Sequence, residues 1–474
     1  MVDSAVPREM AELDLAAAGF PKSRPMPALS HSRTDRRPRL AIVSTYHDLC
    51  GIAAYTRCLQ RQLGDVFDVT VFDLDQYLLR HTHPHVRKLA DRYVKQICRA
   101  IAGFDAVNLQ LEHGIFGRTT DDIFRRFVWL VRAAPALSVT FHTMQPWALF
   151  DRAAWLREIA RFRFGRAGAL RAGFYRSHKL SAGIPRHLRR AQRRKPVTAI
   201  VHNRRDLAEM KHVHAIRQVY DHPLVFIDEA EAEKIRAAAS RRQFPLIETL
   251  PDTAVLVGVF GFLGRYKGFE TVIRAMQHLP DHYHLLVFGA VHPNEIASRQ
   301  PIDPYLASLL SAAYIDTTLP ERLSGAGAGV PAMTVTVDRE LSQMLVAHPR
   351  DLSARLHFMG AMTDSEFLAG LAVCDTAVFP YLEVGQSSSG PIAQALELGC
   401  RIIASRTRAF MEFARYHPDR IEFFDIGNHL ELAKRILAAP QFDPCHYRPA
   451  YNAETNKAVY RAANGAPARF SVPQ

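Results

Sequence analysis

Apolar residues in this chain gather into short β-branched runs, and the stretches between them repeat apolar positions with helical spacing. In the first half the runs are 40–45, 69–73, 106–111, 137–141 and 197–201. In the second half they are 255–260, 284–288, 356–358, 376–379, 401–404 and 421–424. Strand and helix patterns alternating in this way predict βαβ units and parallel sheets. The two series flank a polar, Ala/Glu-rich stretch at 226–252, read as a linker. The expected fold is therefore α/β, with two Rossmann-like doubly wound domains over 39–225 and 253–445. Residues 1–38 read as a disordered basic arm, 151–195 as a basic insertion in the first domain, and 292–350, with the Gly-rich run 324–329, as an irregular insertion. A length of 474 residues suits that division, because one hydrophobic core rarely serves so long a chain.

In doubly wound sheets ligands bind beyond the carboxyl ends of the strands, and the loops there carry the candidate chemistry. After the first run, Gly51 opens a helical pattern, where a missing side chain lets a ligand approach backbone. The dinucleotide fingerprint G-x-G-x-x-G is absent there. Glu112 and His113 follow the third run and His142 the fourth. A histidine in that position can hold a phosphate, orient a hydroxyl or move a proton. The plain alternative is a satisfied core or surface histidine.

After 255–260 comes a Gly-punctuated turn, from Gly261 to Gly268, that carries Arg265 and Lys267. After 376–379 come Gln386, Ser387, Ser388, Ser389 and Gly390, then a helical pattern from Ile392. A turn feeding a helix presents unpaired N–H groups and a positive dipole end, which suit a phosphate oxygen. An arginine and a lysine nearby would neutralise a diphosphate. A solvated loop lysine and an N-cap serine are the plain alternatives. Taken together, the two stretches point to a nucleotide-handling enzyme and are expected to converge on one pyrophosphate.

Charge alters the picture in one place. Residues 152–195 hold 14 Lys or Arg against Glu158 alone, which equals the whole-chain imbalance of +13. Trp155, Phe162, Phe164, Phe174 and Tyr175 interleave with those arginines. Such a segment can lie on an anionic bilayer, bind nucleic acid, or be a solvated insertion. No nucleic-acid motif accompanies it, so nucleic acid is not expected as a partner. The 6 cysteines are scattered without a C-x-x-C pair, which favours a reducing compartment and no metal site. Glu12 and Asp14 interrupt the only apolar stretch near the start, and no run reaches the ~18 residues that span a bilayer. The expected location is cytoplasmic, peripheral on the inner leaflet through 152–195.

With these residues in view, the chain resembles the retaining GT-B glycosyltransferases of family 4 over about residues 39–465. The likeness lies in Arg39-Leu-Ala-Ile-Val-Ser-Thr-Tyr with Cys50-Gly-Ile-Ala-Ala-Tyr-Thr, in Phe141-His-Thr, in 261–268 with Glu270-Thr-Val-Ile-Arg-Ala-Met, and in 379–405. It implies two domains facing across a cleft, with a nucleotide-diphosphate-sugar donor held mainly by the second. It also implies that the segment 446–474 carries a final helix, about 451–465, crossing back to the first domain. By the same resemblance Lys267 is the phosphate lysine, His142 the histidine near the reacting sugar, and Gly51 the glycine-loop position. Gly360 to Thr363 fall where the nucleobase packs. Glu112 and His113 are acceptor-side candidates.

Three positions depart from the family pattern. Phe262 stands where the family keeps a phosphate arginine, and Arg265 is the candidate to reach the same oxygen. Gln386 and Gln394 stand in place of the family's paired glutamates. A glutamine carbonyl can still accept from a ribose or sugar hydroxyl, but the charge is lost.

The implied activity is retaining transfer of a sugar to an acceptor hydroxyl, on a glycan or lipid-linked acceptor, in cell-surface polysaccharide or glycolipid assembly. No cofactor or metal is expected beyond the nucleotide sugar as co-substrate. The alternatives are a nucleotide-sugar-binding regulator or partner subunit without turnover, and a different GT-B reaction such as epimerisation.

Overall fold

The computed structural model describes residues 36–48, 50–291, 352–440 and 448–465, together with Tyr305, Ser308, Leu309 and Ala312. The expected N-terminal arm, apart from 36–38, and the Gly-rich run 324–329 lie outside the described residues. The chain forms two compact units. Of the described residues, the first comprises those up to Phe226, with Gln386–Ser388 and those from Tyr451; the second comprises those within Ile227–Gly385 and Ser389–Ala450.

In the first unit six parallel strands are ordered β2-β1-β3-β4-β5-β6. They are β1 (Arg39–Ser44), β2 (Asp68–Asp73), β3 (Ala106–Leu111), β4 (Leu137–Phe141), β5 (Val197–Val201) and β6 (Gln218–Asp221). Every residue of β3, β4 and β5 is buried, as a parallel sheet covered by helices on both faces requires. The covering helices include α1 (Gly51–Leu63), α2 (Pro84–Ile101) and α3 (Thr120–Ala133). Val94 and Ile101 of α2 and Phe127 and Leu130 of α3 join Val107 and Leu109 of the sheet in one core. The basic segment forms α4 (Arg152–Ala160), α5 (Phe164–His178) and α6 (Ile184–Ala191), with a π-turn over Lys179–Gly183 before α6.

The second unit repeats the plan in the order β12-β11-β10-β7-β8-β9. Its strands are β7 (Val255–Phe260), β8 (Tyr283–Phe288), β9 (Leu356–Gly360), β10 (Thr376–Phe379), β11 (Ile402–Ser405) and β12 (Ile421–Phe424). The stretch read as a linker instead forms α7 (Glu229–Ala238) and buries Ala232, Phe244 and Ile247 within this unit. Phe244 packs against Phe288 of β8, a contact that average polarity conceals. The remaining helices that concern the site are α8 (Phe269–Met276), α9 (Asp364–Val373), α10 (Gly390–Glu397) and α11 (Arg408–Ala414).

The last described helix, α12 (Ala453–Ala463), belongs to the first unit. There the Tyr460 hydroxyl lies 2.9 Å from Thr140 Oγ1 and 3.2 Å from the Tyr55 hydroxyl. The Ser138 hydroxyl donates to Asn464 Oδ1 at 2.8 Å. Buried polar groups on β4 thus find partners on this helix, so it satisfies the sheet as well as covering it.

Candidate functional site

Strand order locates the ligand crevice of each unit. In the second sheet β8 and β9 run outward on one side of β7 while β10 lies on its other side, so the switch point falls between β7 and β10. The two loops singled out in the sequence leave the carboxyl ends of these two strands, and they meet. Leu382 N–H donates to the Tyr266 carbonyl at 2.7 Å. Gly268, at φ 66°, is pressed so closely on Pro380 that a methyl group there would lie 2.1 Å from the Pro380 carbonyl oxygen. Only glycine combines that torsion with that approach.

Lys267 is drawn inward by this contact. Its Nζ hydrogen-bonds the Tyr381 hydroxyl and lies 3.9 Å from the centre of the Tyr381 ring. The Tyr381 hydroxyl in turn is 3.2 Å from Ser389 Oγ. Lys267 and Tyr381 are both buried, and burial, with no carboxylate partner among the described residues, pushes the Lys267 amine down to about 7. Ser389 is the N-cap of α10, yet its side chain makes no capping bond. Its hydroxyl is turned to Tyr381 instead, and the first-turn amides of α10 keep their pull on an anion. Tyr381 was not singled out from the sequence. Its signal was a hydroxyl placed directly after a strand beside the serine run.

Arg265 is placed differently from Lys267. It is exposed, with its guanidinium 5.2 Å from the centre of the Tyr305 ring. Gln394 lies half-buried one turn into α10, and Gly360, at φ 80°, ends β9. Thr363 is the N-cap of α9 in a reciprocal capping box with Glu366, which accounts for its hydroxyl. The glutamates nearest the two glutamines are used structurally. Glu383 accepts from the N–H groups of Gly385 and Arg408, the latter at the start of α11, and Glu397 accepts from Ile227 N–H.

In the first sheet the switch point falls between β1 and β3. Gly51 follows β1, and a methyl group there would meet no described atom within 4 Å, so the fold itself does not demand glycine. Glu112 and His113 follow β3, and His142 follows β4. The Thr143 hydroxyl donates to Glu112 Oε2 at 2.8 Å, while burial raises the Glu112 carboxyl and lowers His113 to about 4.

His142 Nε2 lies 2.7 Å from Gln110 Oε1. Gln110 is oriented by its own donation to Asn108 Oδ1, so Nε2 of His142 carries the proton. Burial holds His142 well below the usual histidine range, hence neutral. Its ring lies 5.1 Å from that of His202, a residue missed in the sequence although Val201-His202 repeats the strand-end pattern of Phe141-His142. His202 is likewise lowered to about 4 by burial, and its Nε2 has no hydrogen-bond partner among the described residues.

The first unit also includes Gln386–Ser388. Ser387 Oγ accepts from Met144 N–H at 3.0 Å, the Ser387 carbonyl accepts from Asn203 Nδ2 at 3.2 Å, and Ser388 Oγ donates to the His142 carbonyl at 3.3 Å. Of the five residues 386–390, Ser389 is the one that hydrogen bonds link to Lys267, through Tyr381. Among the described residues no group of three or more His, Cys, Asp or Glu is arranged to hold a metal ion.

Comparison with solved structures places this architecture. An α,α-trehalose-phosphate synthase (UDP-forming) from Burkholderia xenovorans, in complex with glucose-6-phosphate, is similar with a TM-score of 0.54 over 90% of this chain and 100% of that one, at 10% identity. The fold is GT-B. A sucrose-phosphate synthase from Thermosynechococcus elongatus is similar at a TM-score of 0.51 and 15% identity, over 91% of this chain and 100% of that one. The trehalose-6-phosphate synthase OtsA is similar at 0.52 and 10%, over 90% of this chain and 96% of that one. No protein-family model matches the chain, and no curated protein matches it in sequence. The GT-B fold expected from the motifs of the chain is thus shown by its shape.

Proposed function

We propose that this GT-B chain transfers a sugar from a nucleotide-diphosphate donor to an acceptor hydroxyl, with retention. The observation that supports this reading most strongly is the Lys267–Tyr381–Ser389 chain at the switch point of the second sheet. An amine buried with no counter-ion among the described residues costs the fold free energy, and a ligand's phosphate charge would offset that cost. As the sugar–phosphate bond breaks, negative charge grows on the leaving diphosphate. Lys267 and the amides at the start of α10 are fixed in advance to receive it. In the retaining scheme the acceptor attacks from the face the diphosphate leaves, and a leaving phosphate oxygen takes the acceptor proton. Neutral His142, its tautomer set by Gln110, would orient a sugar hydroxyl, and Glu112 would contact the acceptor. A glycan or lipid-linked acceptor in cell-surface assembly is the class we assign.

A thermal-shift panel of nucleotide sugars tests this reading. The UDP-forming synthase among the structural neighbours makes UDP-sugars the first to try. The matching donor is expected to raise the melting temperature, and turnover with an acceptor should release the nucleoside diphosphate. No shift with any nucleotide sugar would count against it.

A second reading, a donor-binding regulator, is favoured by Gln386 and Gln394, because Glu383 and Glu397 are committed to backbone N–H groups and do not replace the missing carboxylates. It predicts a donor that binds and never turns over.

Acidity should also tell. Free Lys267, near 7, is mostly neutral at pH 8, and a bound diphosphate favours its ammonium form. Donor binding at pH 8 is expected to take up close to one proton, and affinity to fall as pH rises through about 7. Titration calorimetry in two buffers of different ionisation enthalpy measures this, and zero uptake contradicts it.

A further inference from the structure

The basic segment divides into two parts with different fates. Its later part is ordinary interior structure: α6 buries Ile184 and Leu188, and Lys195 donates to the Val131 and Ala134 carbonyls that end α3. The earlier part is not. Helix α4 buries no residue and α5 buries only Ala167. Phe150 packs on Trp155 and Phe174, with ring centres 6.0 and 5.2 Å apart, and this small aromatic contact holds the hairpin together.

Large apolar side chains are left in water. Phe162 is 81% exposed and Phe164 63%, while Leu149 is 90% and Leu156 57% exposed. The two phenylalanines lie at the tip, where α4 turns into α5, and Phe162 adopts φ 55°, a torsion that disfavours a bulky L-residue. An exposed ring in a strained turn is a double cost that the described structure does not offset. Arg157, Arg161, Arg163 and Arg166 flank this tip along the chain and are all exposed, with Glu158 the sole acid in the hairpin. Exposed rings at an apex flanked by exposed arginines match a bilayer surface, where acyl chains lie just beneath phosphates. A second copy of this chain would bring like charges together. Among the described residues no helix is long and apolar enough to cross a membrane.

We propose that the α4–α5 hairpin docks the protein on anionic membranes, with Phe162 and Phe164 inserted among the acyl chains and the arginines on the headgroup phosphates. The assignment does not depend on the donor chemistry above.

Co-sedimentation of the full chain with phosphatidylcholine vesicles, with and without about one-third phosphatidylglycerol, tests it. Binding is expected only with the anionic lipid. The double variant Phe162→Ala/Phe164→Ala should bind at least about 100-fold more weakly, as two rings withdrawn from an apolar phase imply. Phe162→Trp should bind like wild type with its emission shifted to the blue on vesicles. Both positions are exposed, so the variants are expected to melt as wild type does. Equal binding to both vesicle types, or to neither, would overturn the proposal. So would loss of a dimer in the double variant, or duplex RNA binding that outcompetes anionic vesicles.

Discussion

Replacing Lys267 with methionine is expected to lower sugar transfer by about 10²–10³-fold, the scale seen when a fixed donor to developing charge is removed. The fold should survive. Methionine fills similar space without an amine, and burying that amine already pushes Lys267 down to about 7, so the variant should melt at or above the wild-type temperature. This combination separates a ligand-binding lysine from a structural one. Tyr381→Phe removes one hydroxyl from the same chain of contacts and should cost about five- to tenfold. Steady-state kinetics alongside melting decides the matter. Unchanged transfer, or a melting temperature that falls with activity, would sink the assignment.

Gly268→Ala should have the largest effect on stability, a loss of about 3 kcal/mol or more in urea titration. Two costs combine there. A left-handed torsion costs an L-residue about 1 kcal/mol. The added methyl also meets the Pro380 carbonyl at 2.1 Å, and that oxygen cannot retreat without dragging the end of β10 with it. Gly427 separates the two terms, because its φ is 78° and a methyl group there meets nothing within 4 Å. Gly427→Ala should show the torsional cost alone. Equal losses in the two variants would mean that the contact between the β7 and β10 loops is not holding this unit together.

Local pattern was enough for most of the scaffold. Eleven strand runs, from 40–45 to 421–424, lie on strands of the structure with ends differing by two residues at most. What stayed hidden depends on contacts between distant residues. Strand β6 is four residues long, with Gln218 exposed, and exists because it pairs along β5. The stretch 226–252 reads as a linker because it is polar and Ala/Glu-rich, yet Phe244 and Ile247 are buried, Phe244 against Phe288 of β8.

The candidate site was legible to a similar degree. Lys267 and the serine run announced themselves through glycine, charge and a helix start. Tyr381, which joins Lys267 to Ser389, did not, because its role appears only once β7 and β10 lie side by side. Charge counting misled in another way. It treated 152–195 as one feature, whereas the π-turn at Lys179–Gly183 divides an exposed hairpin from a buried crossover helix.

Whether Lys267 holds the donor is decided by titration calorimetry of the best nucleotide sugar against wild type and Lys267→Met. Saturable binding to wild type and at least about tenfold weaker binding to the variant are expected, from the loss of one charge-assisted contact. Equal affinity for the two proteins, with both fully folded, would contradict that role.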